Sequence, residues 1–229
     1  VGRGLIYDDN IAIIELVKNS KDAGYNQVVV SFNHLYEDEV DLEILEIMIV
    51  DYGVGMTRDE VINKWLNIAY SEKRNSPRSK FYAGNKGVGR FSCDRLGEEL
   101  ILYTKSERGE YIKLPIIWSD FEGKGPDDEV SSISLVGQII DKDLFFKEIN
   151  REDFSTGTVL KINKIRSTWG EEKLKKLISE LGKFSPDIDD EFEVYLESNI
   201  DFEDSGLSKQ MNSKIDNAVL GRLAFKTTY

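Results

Sequence analysis

Residues Leu42 to Val50, Leu-Glu-Ile-Leu-Glu-Ile-Met-Ile-Val, end abruptly on one acidic residue, Asp51, and Tyr52-Gly-Val-Gly-Met56 follows. The apolar, β-branched run predicts a strand that enters the core. Gly53 and Gly55 then break it, because glycine favours turns and weakens a strand. The fold is therefore expected to hold a carboxylate at the carboxyl end of a buried strand. Taken alone, the pattern also describes an ordinary strand end with a glycine turn.

The rest of the chain can be placed around this strand. Asp8 to Ala23 predicts a helix, with Asp8, Asp9 and Asn10 at its start, Gly24 as its stop, and Ile13, Leu16 and Val17 on its apolar side. Gln27 to Phe32 predicts a strand, and Asp38 and Glu39 fall in the turn that leads to Leu42. Thr57 with Glu60 reads as a capping box opening a helix through about Asn67. Gly87 to Leu96 predicts another helix. Glu99 to Lys105 and Tyr111 to Trp118 predict a hairpin turning near Gly109, followed by an acidic loop over 119–130. Strands are expected near 131–140, near 157–163 and at Phe192 to Leu196, with a helix over Glu171 to Leu181. This order lacks the βαβ alternation of a doubly wound fold. It points to an α+β, two-layer α/β sandwich, with a mixed, mostly antiparallel sheet and helices on one face.

Three polar residues of the first helix, Glu15, Asn19 and Asp22, are spaced i, i+4 and i+7, which places them within about 60° of one another. On spacing alone they are a shared functional stripe or the solvated face of an amphipathic helix. Residues 68–86 are rich in Ser, Lys, Arg, Pro and Gly, and a loop of that length inside a domain is usually functional. The loop leads into Ala83-Gly-Asn-Lys-Gly-Val-Gly-Arg-Phe-Ser92, three glycines and two cations ahead of a helix. This is neither Gly-x-x-x-x-Gly-Lys-Ser/Thr nor Gly-x-Gly-x-x-Gly. Open amides at a helix start, next to Lys86, nevertheless suit an anion. Arg90 fits either a phosphate contact or a surface ion pair.

Composition narrows the function classes. The net charge of -12 disfavours nucleic acid and anionic membranes. Lys73, Arg74, Arg78 and Lys80 form one local basic cluster, equally readable as a solvated loop. The single cysteine, Cys93, cannot form an internal disulfide and reads as a small buried residue. The single histidine, His34, has no Ser or Cys partner at a recognisable spacing and reads as an ordinary strand residue. No apolar run reaches the ~20 residues of a membrane span, and no signal peptide is visible. A cytoplasmic setting is expected. The chain opens on Val1, which reads as a fragment of a longer protein.

Four strings together carry a resemblance: Glu15-Leu-Val-Lys-Asn-Ser-Lys-Asp-Ala23, Asp51-Tyr-Gly-Val-Gly-Met56, Gly84 to Ser92, and Thr156-Gly-Thr-Val-Leu-Lys161. In this order they resemble the nucleotide boxes of the GHKL ATPases, the group of DNA gyrase B, MutL and the ninety-kilodalton heat-shock chaperones. The third box looks most like prokaryotic chaperone-like or MORC-like ATPases. The resemblance implies a Bergerat-type ATP-binding fold with ATP and Mg2+ as cofactors. It implies that Glu15 activates water, that Asn19 coordinates magnesium, and that Asp22 belongs to the same box. It implies that Asp51 accepts the adenine amine beside Gly53, Gly55 and Met56, with Thr158 helping to hold Asp51. It implies a lid over about 68–90, in which Ser71, Lys73, Gly84, Asn85, Lys86, Gly87, Val88, Gly89 and Arg90 surround the triphosphate.

The resulting expectation is an ATPase domain over 1–185, with 186–229 opening a following, transducer-like and truncated region. ATP would drive lid closure and homodimerisation of the full-length protein, with ADP as product. Nucleic acid would be reached only through other domains, and a membrane not at all. The alternatives are a histidine-kinase catalytic module or a non-catalytic nucleotide-sensing scaffold. The kinase reading fits less well, because kinase domains usually lack the Glu-x-x-x-Asn arrangement and His34 is the only histidine.

Overall fold

Period-two alternation on the strands divides the core between two faces of one sheet. The computed structural model describes residues 8–24, 26–37, 42–66, 88–121, 136–184 and 192–215. The strands are β1 (Gln27–Glu37), β2 (Leu42–Asp51), β3 (Gly97–Lys105), β4 (Ile112–Ile117), β5 (Gln138–Ile139), β6 (Gly157–Ile165) and β7 (Glu193–Ser198). The helices are α1 (Asp9–Asp22), α2 (Arg58–Glu60, running on as a π-helical segment, Val61–Leu66), α3 (Val88–Leu96), α4 (Lys142–Ile149), α5 (Glu171–Phe184) and α6 (Ser205–Gln210).

The sheet order is β5-β4-β3-β6-β2-β1-β7, antiparallel throughout except for the parallel pair β1–β7. The α+β class and the mostly antiparallel sheet are as expected. The strand expected at Phe192 to Leu196 is β7, and it is hydrogen-bonded to β1 at the edge of this sheet. The region expected to form a strand over 131–140 contributes only the two residues of β5 among those described.

The central strand β2 is apolar at consecutive positions because it is covered on both sides. Ile47 and Ile49 face a cluster with Ala12, Ile13, Leu16 and Val17 of α1, Leu96 of α3, and Leu174, Leu177 and Leu181 of α5. Met48 and Val50 face a smaller cluster built on Phe145 and Ile149 of α4, with Phe154, Tyr103 and Val159. Helix α4 was not anticipated from the sequence. It adds a short cap to the face opposite the main helical layer, with Asp141 at its N-cap and Asn150 closing it at φ 53°.

Local chemistry explains where α1 starts and stops. The Asp8 side chain accepts the Asn10 amide at 2.7 Å, and Gly24, at φ +87°, supplies the left-handed residue after the last turn. The Thr57–Glu60 capping box forms as expected, but only Arg58–Glu60 is α-helical before the π-helical segment begins. No helix among the described residues is long and apolar enough to cross a membrane.

Candidate functional site

Asp51 is the last residue of β2 and is only 8% exposed. Its Oδ1 accepts two main-chain amides, from Gly53 at 3.0 Å and from Thr158 at 3.2 Å. Burial pushes the Asp51 carboxyl up to about 6; the two amides and the Thr158 hydroxyl pull the other way and only partly offset it. The result is a buried acceptor fixed in direction by rigid backbone donors.

The glycines around it have reasons internal to the chain. Gly157 sits at φ +132°, and a Cβ there would lie 2.1 Å from the Asp51 carbonyl oxygen. Gly55 sits at φ +65°, and its Cβ would lie 2.1 Å from the Lys105 carbonyl oxygen. A Cβ on Gly53 would meet the Ala23 carbonyl oxygen at 2.7 Å. The Asp-x-Gly-x-Gly segment therefore packs directly on the C-terminal end of α1, where the Val54 amide also donates to the Ala23 carbonyl at 3.4 Å.

Thr104, at the end of β3, joins the parts. It is fully buried, its Oγ1 accepts the Met56 amide at 2.9 Å, and it donates to the Gly157 carbonyl at 2.9 Å. Its hydroxyl lies 3.3 Å from that of Thr158, its cross-strand partner on β6. No motif marked Thr104; the only trace in the sequence is a β-branched polar residue closing an apolar strand.

From Ala23 the axis of α1 leads back to Asn19 after about 6 Å and to Glu15 after about 12 Å, at 1.5 Å per residue. Glu15 and Asn19 are partly buried and Asp22 is exposed. Lys18 Nζ pairs with Glu15 Oε1 at 2.7 Å. Thus the first and second sequence boxes share one locus, with the carboxylate of Asp51 at one end of α1 and the Glu15–Asn19 turn along it.

Helix α3 packs along α1. Its last turn is pinned to the first turn of α1 by Arg95, whose Nε donates to Asp9 Oδ1 at 2.7 Å. Ser167 donates to Asp9 Oδ2 at 2.6 Å, and Lys173 of α5 donates to the same oxygen. Burial would raise the Asp9 carboxyl, but the Lys173 and Ser167 bonds, the Lys173 charge and the Arg95 bond hold it below its ordinary value. Helix α3 thus meets the start of α1 with its own C-terminal end.

Val88, Gly89 and Arg90 form the first turn of α3. Ser71, Lys73, Gly84, Asn85, Lys86 and Gly87 lie outside the described residues, as do the side chains of Val88 and Arg90. Cys93 is buried, and burial pushes its thiol well above the ordinary value, so it is an inert packing group. His34 is a strand residue whose amide donates to Asn199 Oδ1 at 2.7 Å.

This arrangement, a mostly antiparallel sheet with a helical layer and a buried aspartate at one strand end, belongs to a known class. The family described as Histidine kinase-, DNA gyrase B-, and HSP90-like ATPase matches residues 7–144, and the chain belongs to it. The family's common ligand is ATP. The chain is also similar to the TNF receptor-associated protein 1 homolog, mitochondrial, of Dictyostelium discoideum, at 28% identity over 124 residues. That match takes in 46% of this chain and 17% of the length of the relative.

Proposed function

We propose that this chain binds ATP with magnesium and hydrolyses it, and that the cycle gates a larger protein. The observation that carries the reading is the buried Asp51 carboxylate, oriented by the Gly53 and Thr158 amides against the end of the helix that bears Glu15 and Asn19. Family membership supports the same reading.

The residues suit each part of the nucleotide. Asp51 accepts the exocyclic amine of adenine, which selects against guanine, whose corresponding group is a carbonyl. The Asn19 amide oxygen is a hard ligand suited to magnesium. When bound, the metal neutralises phosphate charge that the acidic chain would otherwise repel. Glu15 takes the proton of the attacking water. The amides of Val88, Gly89 and Arg90 at the start of α3 receive phosphate oxygens. Ser71, Lys73 and Gly84 to Gly87 complete a lid that closes over the nucleotide, and closure promotes a homodimer of the full-length protein. Similarity to the Dictyostelium relative favours the chaperone-like branch over the kinase branch.

Titration calorimetry with ATP and Mg2+ tests the reading. Asp51→Asn abolishes measurable binding of ATP while the folded state persists; unchanged ATP affinity in that variant would remove the adenine assignment.

A further inference from the structure

Tyr52 follows the nucleobase aspartate directly and points to the opposite face of the sheet. Its hydroxyl donates to Asp153 Oδ2 at 3.0 Å, and its ring lies 5.9 Å from that of Phe154. Phe154 is itself buried in the cluster with Val29, Met48, Val50 and Phe145. Two residues before Asp153, Arg151 forks onto Glu197 of β7. Its Nη1 donates to Oε1 at 3.0 Å and its Nη2 to Oε2. Nη2 also donates to Ser31 Oγ of β1 at 3.0 Å, and Ser31 is fully buried.

The segment that carries Arg151, Asp153 and Phe154 runs straight into Gly157, which packs on the Asp51 backbone, and Thr158, whose amide donates to the Asp51 carboxylate. It is therefore held at three places before it delivers the Thr158 amide: on β7 and β1, on Tyr52, and in the core under β2. A planar guanidinium fork on a carboxylate fixes direction as well as distance. We infer that Tyr52, Asp153 and Arg151 are positioning residues for ATP binding. They set the placement of the Thr158 amide against Asp51, and so tie the nucleobase site to the edge strand β7. The inference rests on the reading of Asp51 as the nucleobase acceptor.

The test is ATP–Mg2+ calorimetry from pH 5 to 8 on the chain and on Tyr52→Phe, Asp153→Ala, their double variant and Arg151→Lys. A merely structural role would move the melting temperature alone. Slackening the Thr158 amide withdraws a bond that favours the Asp51 carboxylate. Among the described residues no charged side chain shifts that group; burial, the Gly53 and Thr158 amides and the Thr158 hydroxyl set it. Tyr52→Phe is expected to weaken ATP binding by about 3- to 10-fold, the worth of one hydrogen bond. It should also move the pH midpoint of affinity upward, with little change in melting temperature. The double variant is expected to match the single ones, because both remove the same bond. Arg151→Lys, which keeps the charge but loses the fork, is expected to act in the same direction.

Unchanged affinity and midpoint in Tyr52→Phe, alongside lost binding in Asp51→Asn, overturns the positioning role and leaves the nucleobase assignment intact. Should Arg151→Lys fail to fold, Tyr52→Phe still decides. Retained binding in Asp51→Asn removes the nucleobase assignment, and the positioning role with it.

Discussion

The main-chain amide of Thr158 meets Oδ1 of Asp51 at 3.2 Å, although 107 positions separate them. The contact is a product of register: β2 and β6 pair antiparallel with Asp51 opposite Thr158. Sheet pairing thus builds the site, and the site does not depend on a flexible loop to orient its central acid.

That acid should make nucleotide affinity depend on pH. Its carboxyl stands at about 6 in the fold against 3.8 for a free aspartate. In the proposed role the ionised Asp51 carboxylate is the acceptor for the adenine amine, so affinity is expected to fall by about tenfold per pH unit below the midpoint and to level off above pH 7. The linkage to stability has the opposite sign. A raised folded-state value contributes stability that is complete below about 3.8 and is lost as pH rises through about 6. Nucleotide-free Asp51→Asn should therefore melt higher than the parent at pH 7 and lose that advantage at pH 4. Paired melting curves and ATP titrations across pH check both signs.

Gly157 tolerates no side chain. At φ +132°, with the Asp51 carbonyl oxygen 2.1 Å from a built Cβ, an added methyl forces apart the two strands that form the site. Gly157→Ala is expected to cost about 2–4 kcal/mol and to weaken ATP binding as well. Gly170, which has open space around its Cβ position, is the control: Gly170→Ala meets no clash, so it should leave ATP binding nearly unchanged and cost only about 1 kcal/mol from a poorer N-cap. Urea unfolding and calorimetry on the two variants measure the contrast.

How much of this was legible beforehand follows from the range of each interaction. The limits of α1 were readable because caps act locally: Asp8 accepts from Asn10, and Gly24 adopts the positive φ that its type allows. β2 was readable because both its faces are apolar. Asp51 stood out as a carboxylate closing that run. Thr104 was not readable, since its role exists only once β3 and β6 align it with Thr158. Asp9 looked like one of three capping residues, yet it is the acceptor for Arg95, Ser167 and Lys173, up to 164 positions away. Helix α4 was missed because it is short, and its two fully buried anchors, Phe145 and Ile149, show no extended helical period.

Asp9 should prove a stability residue rather than a nucleotide contact. It joins α1 to α3 through Arg95 and to α5 through Lys173. Removing it strands two cations, but Arg95 is 36% exposed and Lys173 25%, so water recovers part of the loss. Asp9→Ala is expected to cost about 2 kcal/mol, below the range for a fully buried pair. Its lowered carboxyl contributes stability above the unfolded value of 3.8, lost as pH falls through the still lower folded value. Acid unfolding of the variant should therefore begin from a lower plateau and show a shallower fall below pH 4. An unchanged urea midpoint at pH 7 would show that the cluster is only a solvated contact.

The proposed role of Glu15 as the base that activates water is expected to separate binding from chemistry. Glu15 sits about 12 Å along α1 from the end that packs on Gly53, so it is remote from Asp51. Replacing it removes a proton acceptor without touching the groups that fix Asp51. Glu15→Ala is expected to keep ATP affinity within about threefold while phosphate release falls by a factor of about 10²–10⁴, the usual contribution of a general base. The Lys18 partner, 2.7 Å from Glu15 Oε1, supplies the comparison. Lys18→Met leaves the carboxylate in place, so it should retain far more turnover than Glu15→Ala. Phosphate-release assays under saturating ATP and Mg2+, run beside calorimetry, distinguish the cases. Loss of ATP binding in Glu15→Ala would mean that this turn of α1 holds the nucleotide rather than activating water.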